Sequence, residues 1–399
     1  MVQSILSQLH VYWSHPFHIP GSIINKLIAT AGNFIWGGKA HQSKINLVRM
    51  DILARPRNLG GWGLINLKLF GKALLCKSLF RGIFGAGPWS LMIQTRYLKG
   101  HSLEYWFRRG SIGIKSGSAI WNSIRKILSF FIENLGWRLF SGSSIFIGID
   151  CVINELHLLI PQNLSIYLHS KGYFTWDKLI REWLSSSPVW KDAVELSLSP
   201  HYGQLWTVVV QDLRHKGLRR SGNKDTLVWG ATNSRQSIRV KDIYSILIEG
   251  SCQAPVCMFP LSMWKVTCPL KCILFSWLMF SNRNLTWEVL QKHGWHGPGR
   301  CAFSLSDHET NAHLFFQCPQ TQHIWYELSI SFSFSYRGFA SVREGVGWWS
   351  EQSTDLRSIF STAIWLIWKW RNGFIFEGLR PPISSILGWI SDPLVSHHI

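Results

Sequence analysis

The chain has 399 residues, 46% hydrophobic and 16% charged, with 41 Lys and Arg against 22 Asp and Glu and a net charge of +19. That length implies two or three domains, and the apolar content supplies real cores and excludes a disordered, charge-swollen chain. The basic excess lies mainly in residues 1–150, where 18 Lys and Arg face 4 Asp and Glu for a net of +14, against +5 for the remainder, and it points to a polyanionic partner.

In chain order, "HIPGSIINKLIATAGNFIWGG" places Ile24, Leu27, Ile28, Ala31 and Ile35 at helical spacing, which predicts one amphipathic helix. Gly60-Gly61-Trp62-Gly63 marks a turn, and a helix is expected from about Asn66. In that helix Leu69, Ala73, Cys76 and Phe80 form one apolar stripe, with Lys68 and Lys72 on one flank and Lys77 and Arg81 on the other. Such flanks suit phosphates, and equally suit an ordinary surface helix with snorkelling basic residues.

Residues 110–150 read as a helix, "SAIWNSIRKILSFFIENL", then two short strands, "WRLF" and "SIFIGI", joined by Ser141-Gly142-Ser143. A weakly patterned stretch follows. "DTLVWGATNSRQSIRVKDIYSILIEG" reads as strand, turn, strand and helix. Two helices broken at Pro269 come next, and finally "STAIWLIWKWRNGFIFEG", an apolar helix closed by Arg371-Asn372-Gly373. The fold class expected is therefore mainly α with short β hairpins. The runs "CILFSWLMF" and "AIWLIW" fall short of the roughly 20 residues a bilayer requires, so no membrane partner is expected. Eight cysteines without regular spacing, behind a start that lacks a signal-peptide pattern, fit reduced thiols in the cytosol or nucleus better than a secreted disulfide framework. The 23 Trp and 23 Phe can fill cores or offer stacking surfaces to bases.

"CAFSLSDHETNAHLFFQC", Cys301 to Cys318, carries the most chemistry. Its C-x16-C and H-x4-H spacings fit no standard finger. A tetrahedral zinc site needs four N or S ligands, usually opened by a C-x2-C knuckle, and here position 304 is Ser304. Cys268 and Cys272, at i and i+4 with no His or carboxylate beside them, read as small core residues.

The order of these motifs resembles the C-terminal half of plant LINE-type (non-LTR) retrotransposon polyproteins. "IPGSIINKLIATAGNFIWGG", "RPRNLGGWGLINLKLFGKALLCKSLFR", "GWRLFSGSSIFIGID" and "WKWRNGFIFEG" carry the likeness, and Phe259 to Trp325 looks like the reverse-transcriptase zinc-binding domain. The resemblance implies a helical thumb-like and connector region over 1–150, a connector over 151–224, a zinc-binding-like domain over 225–330 with its core at 259–325, and a helical hinge and tail over 331–399. It also implies RNA or DNA as partner and no small-molecule substrate, and the basic flanks make Lys68, Lys72, Lys77 and Arg81 the residues expected to meet its phosphates. The family's knuckle matches at Cys301, Glu309, His313, Leu314, Phe315 and Cys318, and departs at Ser304. Cys301, His313 and Cys318 are thus the expected Zn²⁺ ligands, with His308 as a candidate fourth, and a metal-free scaffold is the alternative. No paired-aspartate polymerase motif and no ribonuclease H acidic cluster is found, and polymerases need two carboxylates for their Mg²⁺ pair. The expectation is a non-enzymatic, catalytically silent fragment that binds nucleic acid, or else a structural or interaction protein.

Overall fold

The computed structural model describes residues 19–37, 46–98, 117–152, 160–215, 217–220, 223–229, 238–252, 258–297, 299–379 and 382–391. Among them helices dominate, and β structure is confined to two two-stranded antiparallel sheets, which is the mainly α class expected. The chain forms two compact units, one from Ile24–Asn66 with Glu249 onward and the other from Leu67–Ile248.

Helix α1 (Gly21–Ile35) buries Ile24 and Ala31 on the expected face. The turn after it depends on glycine. Gly60 has φ 81°, and a Cβ on Gly61 would collide with the carbonyls of Arg55 and Ile52. The close approach lets Trp62 N–H donate to Leu53 O at 3.1 Å and directs the Trp62 ring onto Trp36 and Trp277, with centroids 5.9 and 5.7 Å away.

Helix α2 (Leu67–Phe84) starts next to the expected Asn66 but is buried far more widely than one stripe. Leu74, Leu75, Ser78, Leu79, Gly82 and Ile83 are buried together with Ala73, Cys76 and Phe80, while Leu69 is only half-buried. It is a central helix of its unit, and its basic residues occupy the few positions left at the surface.

The expected single helix at 118–135 is two, α3 (Ala119–Arg125) and α4 (Leu128–Glu133), the first capped by Ser118, whose hydroxyl accepts from Trp121 N–H. Strand β1 (Leu135–Arg138) does not pair with "SIFIGI" as expected. Its partner is β4 (Thr226–Trp229), in register Leu135↔Trp229 to Arg138↔Thr226. The turn and part of the second strand expected after Trp229 fall at 230–237, outside the described residues, and a helix begins at Val240. The stretch expected to be a weakly patterned connector carries α5 (Gln162–Ser170), the hairpin of β2 (Ile180–Leu184) and β3 (Ser187–Trp190), and α6 (Pro200–His215). Trp176, Trp190 and Trp206 build the core there through edge-on contacts at 5.7 and 6.2 Å.

The β1–β4 pairing is tied by Asp225. Its carboxylate accepts from the N–H groups of Phe140 (2.8 Å), Ser141 (2.9 Å), Gly142 (3.0 Å) and Ser144 (3.1 Å), and from the Ser141 hydroxyl (3.1 Å). Burial pulls the Asp225 carboxyl up, but the bonds from Gly142, Phe140, Ser144 and Ser141 outweigh it and hold the pKa below its ordinary value.

Helix α7 (Val240–Ser251) buries Ile243 in the core of the Leu67–Ile248 unit. The other unit continues with α8 (Leu270–Phe280), α9 (Trp287–Lys292), α10 (Pro319–Ser331), α11 (Val342–Ser350), α12 (Thr354–Glu377) and α13 (Ile383–Ser391). Its core is a run of rings. Phe360 of α12 stacks near Phe316 (6.3 Å), Trp325 (5.8 Å) and Trp349 (5.0 Å). Helix α12 does not close at Arg371-Asn372-Gly373 as expected but runs on to Gly378, whose φ of 67° ends it. Among the described residues no helix is long and apolar enough to cross a membrane.

Because the Asp225 pKa lies lower in the folded chain than the unfolded value of about 3.9, its contribution is present above about pH 4 and is lost as pH falls through the folded value. Asp225→Asn should cost on the order of 1 kcal/mol at pH 7, a partly exposed group being discounted for screening. The penalty should shrink toward zero in acid, measured by urea unfolding of the full chain at pH 7 and pH 3.

Candidate metal centre

The 301–318 segment opens with a tight hairpin. Arg300 and His308 form an antiparallel bridge, Cys301 N–H donates to Asp307 O at 2.7 Å, and Glu309 N–H to Gly299 O at 3.0 Å. Ser304 lies at the tip, where the chain doubles back through Leu305 N–H to Cys301 O at 2.9 Å. Leu305 adopts φ 57°, the left-handed region that disfavours a branched side chain.

The second half of the site comes from a π-turn, His313–Gln317. On an α-helix, residues five apart point to different faces. Here Cys318 N–H donates to His313 O at 2.8 Å, an i to i+5 bond that widens the turn and brings both side chains to one side. Leu314, Phe315 and Phe316 are fully buried, and the Phe315 ring meets Phe275 of α8 at 6.1 Å.

The result is a donor cluster of Cys301, His313 and Cys318, with all three donor atoms within 4.8 Å of one another and all three residues buried. The two sulfurs are 3.9 Å apart. Two Zn–S bonds of about 2.3 Å opened to a tetrahedral angle place sulfurs about 3.8 Å apart, so the pair fits zinc as it stands. The Cys318 thiol beside it, with the N–H groups of Ser304 and Phe303, holds the Cys301 thiol below its ordinary pKa, and the same contact raises Cys318. Backbone N–H groups aimed at sulfur are the environment a coordinated thiolate requires. Asp307 lies 3.9 Å from His313 Nδ1, on the opposite ring nitrogen from Ser304, whose Oγ is 3.3 Å from Nε2.

His308 does not join this group. It is exposed, paired through its backbone with Arg300, and its ring packs over Gly299. The alternating pattern of the hairpin turns position 308 away from the face that carries Cys301. Cys268 and Cys272 gather no third ligand among the described residues, and Cys272 is buried in the α8 core. In the other unit, Lys68, Lys72 and Arg81 are exposed on α2, whereas Lys77 is half-buried. At 3.6 residues per turn Lys72 and Lys77 are about 140° apart, so the two pairs serve different sides of the helix.

Sequence reading assigned no role to the residue that anchors the site. Glu309 is 1% exposed and forms a two-pronged ion pair with Arg371 of α12, Nε to Oε2 at 3.1 Å and Nη2 to Oε1 at 2.5 Å. Glu309 Oε1 also accepts from Trp287 N–H at 3.0 Å, fixing the start of α9. Asn311 is buried beside it and donates to Met279 O at 3.3 Å. The available signal was chemical: an Arg inside the apolar run "WLIWKWRNGF" requires a carboxylate partner, and Glu309 is one of few near a buried segment.

Residues 239–325 match a protein family described as zinc-binding in reverse transcriptase, a span that contains the whole donor cluster. Over 396 residues the chain is 25% identical to an Arabidopsis thaliana protein named "Putative ribonuclease H protein", an alignment covering 94% of this chain and 60% of the relative. The chain thus spans about 60% of the length of that curated relative. Together these likenesses support a retrotransposon-related reverse-transcriptase region with a zinc-binding segment at 239–325. They also overturn the expectation of a non-enzymatic chain. Nearly all of it aligns with a protein bearing a nuclease's name, and missing acidic motifs cannot set it apart from enzymes when catalytic carboxylates are drawn from distant parts of a fold.

Glu309→Gln should leave the Arg371 guanidinium buried without a countercharge and cost about 3–5 kcal/mol. Replacing both, Glu309→Leu with Arg371→Met, should cost less than the single change. Urea unfolding of the three proteins measures the difference, and equal losses would show that the pair is not coupled.

Proposed function

We propose that this chain is the zinc-bearing, nucleic-acid-holding portion of a plant LINE-type (non-LTR) retrotransposon reverse transcriptase, acting within a polypeptide of reverse-transcriptase and nuclease chemistry. The observation that carries this reading is the Cys301–His313–Cys318 cluster inside the stretch that matches the reverse-transcriptase zinc-binding family. Zn²⁺ on these ligands would clamp the hairpin at 299–309 to the π-turn at 313–318, since metal binding free energy becomes folding free energy in such small sites. Ser304 stands where the family pattern has its remaining cysteine.

The nucleic-acid role rests on charge. Residues 1–150 carry most of the net positive charge, and Lys68, Lys72 and Arg81 are exposed on α2. Contacts from Lys and Arg to phosphates position a nucleic acid without reading its sequence. Lys77, half-buried, contributes less. The aromatic residues support binding little, because Trp176, Trp206, Trp229, Trp277, Trp325 and Trp349 are committed to cores. RNA or DNA is therefore held chiefly by electrostatics.

Affinity for a single-stranded RNA or DNA oligonucleotide should fall with salt, at a slope of roughly −0.7 to −0.9 per phosphate neutralised. Changing Lys68, Lys72 and Arg81 together to Gln should flatten the slope by about 2. An unchanged slope would remove α2 from the interface, and binding insensitive to salt would favour a purely structural role. In the purified full chain, Cys318→Ser should abolish zinc content and Ser304→Cys should raise zinc affinity strongly, read by mass spectrometry and competition with a chelator. A Ser304→Cys protein with no gain in affinity would show that the hairpin tip does not face the metal.

A further inference from the structure

Resting on the zinc reading, we infer that the metal held by Cys301, His313 and Cys318 keeps its fourth position for an exchangeable small ligand, a water or a monodentate anion, hydrogen-bonded to the Ser304 hydroxyl. Structural zinc sites are closed by four protein ligands, whereas three protein ligands and one open position are the pattern of sites that exchange or activate a ligand. Among the described residues the donor cluster has three members, and the neighbouring side chains that might close it are engaged elsewhere. His308 is exposed on the other side of the hairpin. Asp307 faces His313 Nδ1 at 3.9 Å, the nitrogen away from Ser304. There it can orient the ring as carboxylates orient metal-bound histidines.

Ser304 Oγ lies 3.3 Å from His313 Nε2, so it stands at the corner that a fourth donor occupies. A serine hydroxyl stays protonated at neutral pH and is a poor ligand for zinc, but it both donates and accepts hydrogen bonds. It is therefore better suited to hold a metal-bound water than to bind the metal. Access agrees with this assignment. Cys301 and Cys318 are wholly buried and His313 is 6% exposed, while Ser304 is half-buried and Leu305, Ser306 and Asp307 beyond it are exposed. Among the described residues around the cluster, solvent reaches closest at the hairpin tip. Two thiolates, one neutral imidazole and Zn²⁺ sum to no net charge, so the donor set itself does not repel a neutral or singly negative ligand, and the Asp307 carboxylate lies beside the far ring nitrogen of His313.

Cobalt(II) reports the coordination sphere in its visible and near-ultraviolet absorption and can be loaded into the metal-free full chain. With thiocyanate as the probe anion, the cobalt bands of the parent protein should shift saturably. Ser304→Cys should raise the thiolate charge-transfer intensity by about half, from two sulfurs to three, and should lose the thiocyanate shift. Ser304→Ala should keep the cobalt and the shift but need more thiocyanate to saturate it, because the hydrogen bond to the bound ligand is gone. Cys318→Ser should lose the bands, and their persistence there would place the cobalt elsewhere and overturn the assignment. Bands in the parent that thiocyanate does not move, or loss of cobalt in Ser304→Ala, would show a closed site with Ser304 as ligand. Cobalt bound by Ser304→Cys but not by the parent would show that three ligands do not hold the metal, refuting the open site while sparing the hairpin geometry. Binding by neither would remove the zinc reading itself.

Discussion

The zinc-binding segment is organised around one buried ion pair. Glu309 ends the hairpin that begins at Gly299, and Arg371 sits in the C-terminal third of α12, 62 residues later. A charge taken out of water costs several kcal/mol, and only close, hydrogen-bonded pairing offsets it. Both partners meet that condition. Glu309 receives two prongs of the guanidinium and the N–H of Trp287, and Arg371 also donates to Asn372 Oδ1 and lies over the Trp368 ring at 5.0 Å. One carboxylate therefore fixes the exit of the hairpin, the start of α9 and the rotation of α12 about its axis. Breaking it would release the three together, so its influence on the donor cluster reaches beyond its own contacts.

This arrangement explains why α12 continues through Gly373. Seen in sequence, Arg371-Asn372-Gly373 reads as a polar stop after an apolar run. In the fold, Arg371 points into the protein and Phe303 of the hairpin stacks on Trp370 one residue earlier, at 4.1 Å. Tertiary contacts thus hold the helix past a residue that intrinsic propensity disfavours. Local rules were reliable where local physics decides. The α1 stripe, the start of α2 near Asn66, the turn at Gly60–Gly63 and the approach of Cys301, His313 and Cys318 were all legible. Partner choice was not. Nothing in "GWRLFSGSSIFIGID" says that β1 pairs with a strand about 90 residues on, because alternation defines a strand's faces and not its neighbour. Asp225 supplies that information at long range by filling the ring of N–H groups at 140–144. The helices and hairpin within 160–215 were missed for a related reason. Their apolar residues are widely spaced tryptophans, each of which buries a large area without producing a dense periodic pattern.

Ser304 and Leu305 make the hairpin tip the least conventional part of the site. A left-handed residue directly after the ligand position is tolerated most readily by glycine, and a leucine there stores about 1–2 kcal/mol of strain. The strain persists because the surrounding hydrogen bonds over-determine the turn: Cys301 N–H to Asp307 O, Leu305 N–H to Cys301 O, and Glu309 N–H to Gly299 O. The backbone thus holds Cys301 beside Cys318 although Ser304 at the tip is a poor donor for zinc. Two properties are separated here. The scaffold is set by main-chain bonds and the Glu309–Arg371 pair, which are indifferent to residue 304. The affinity is set by the donor atoms, which are not.

The same separation bears on how the two compact units divide their labour. The unit that holds the donor cluster concentrates its rings and its buried ion pair on rigidity, and Cys301 and Cys318 lie wholly inside it. The Leu67–Ile248 unit buries α2 almost all round, so its cationic side chains at Lys68, Lys72 and Arg81 extend from a backbone that cannot easily shift. A rigid helix with cations on two sides presents fixed charges to a flexible polyanion. For a polyanion held there, less conformational entropy would be lost on the protein side, and contacts from Lys and Arg to phosphates would position it without reading its bases. Affinity in such an arrangement follows ionic strength and the placement of Lys68, Lys72 and Arg81 rather than any single contact.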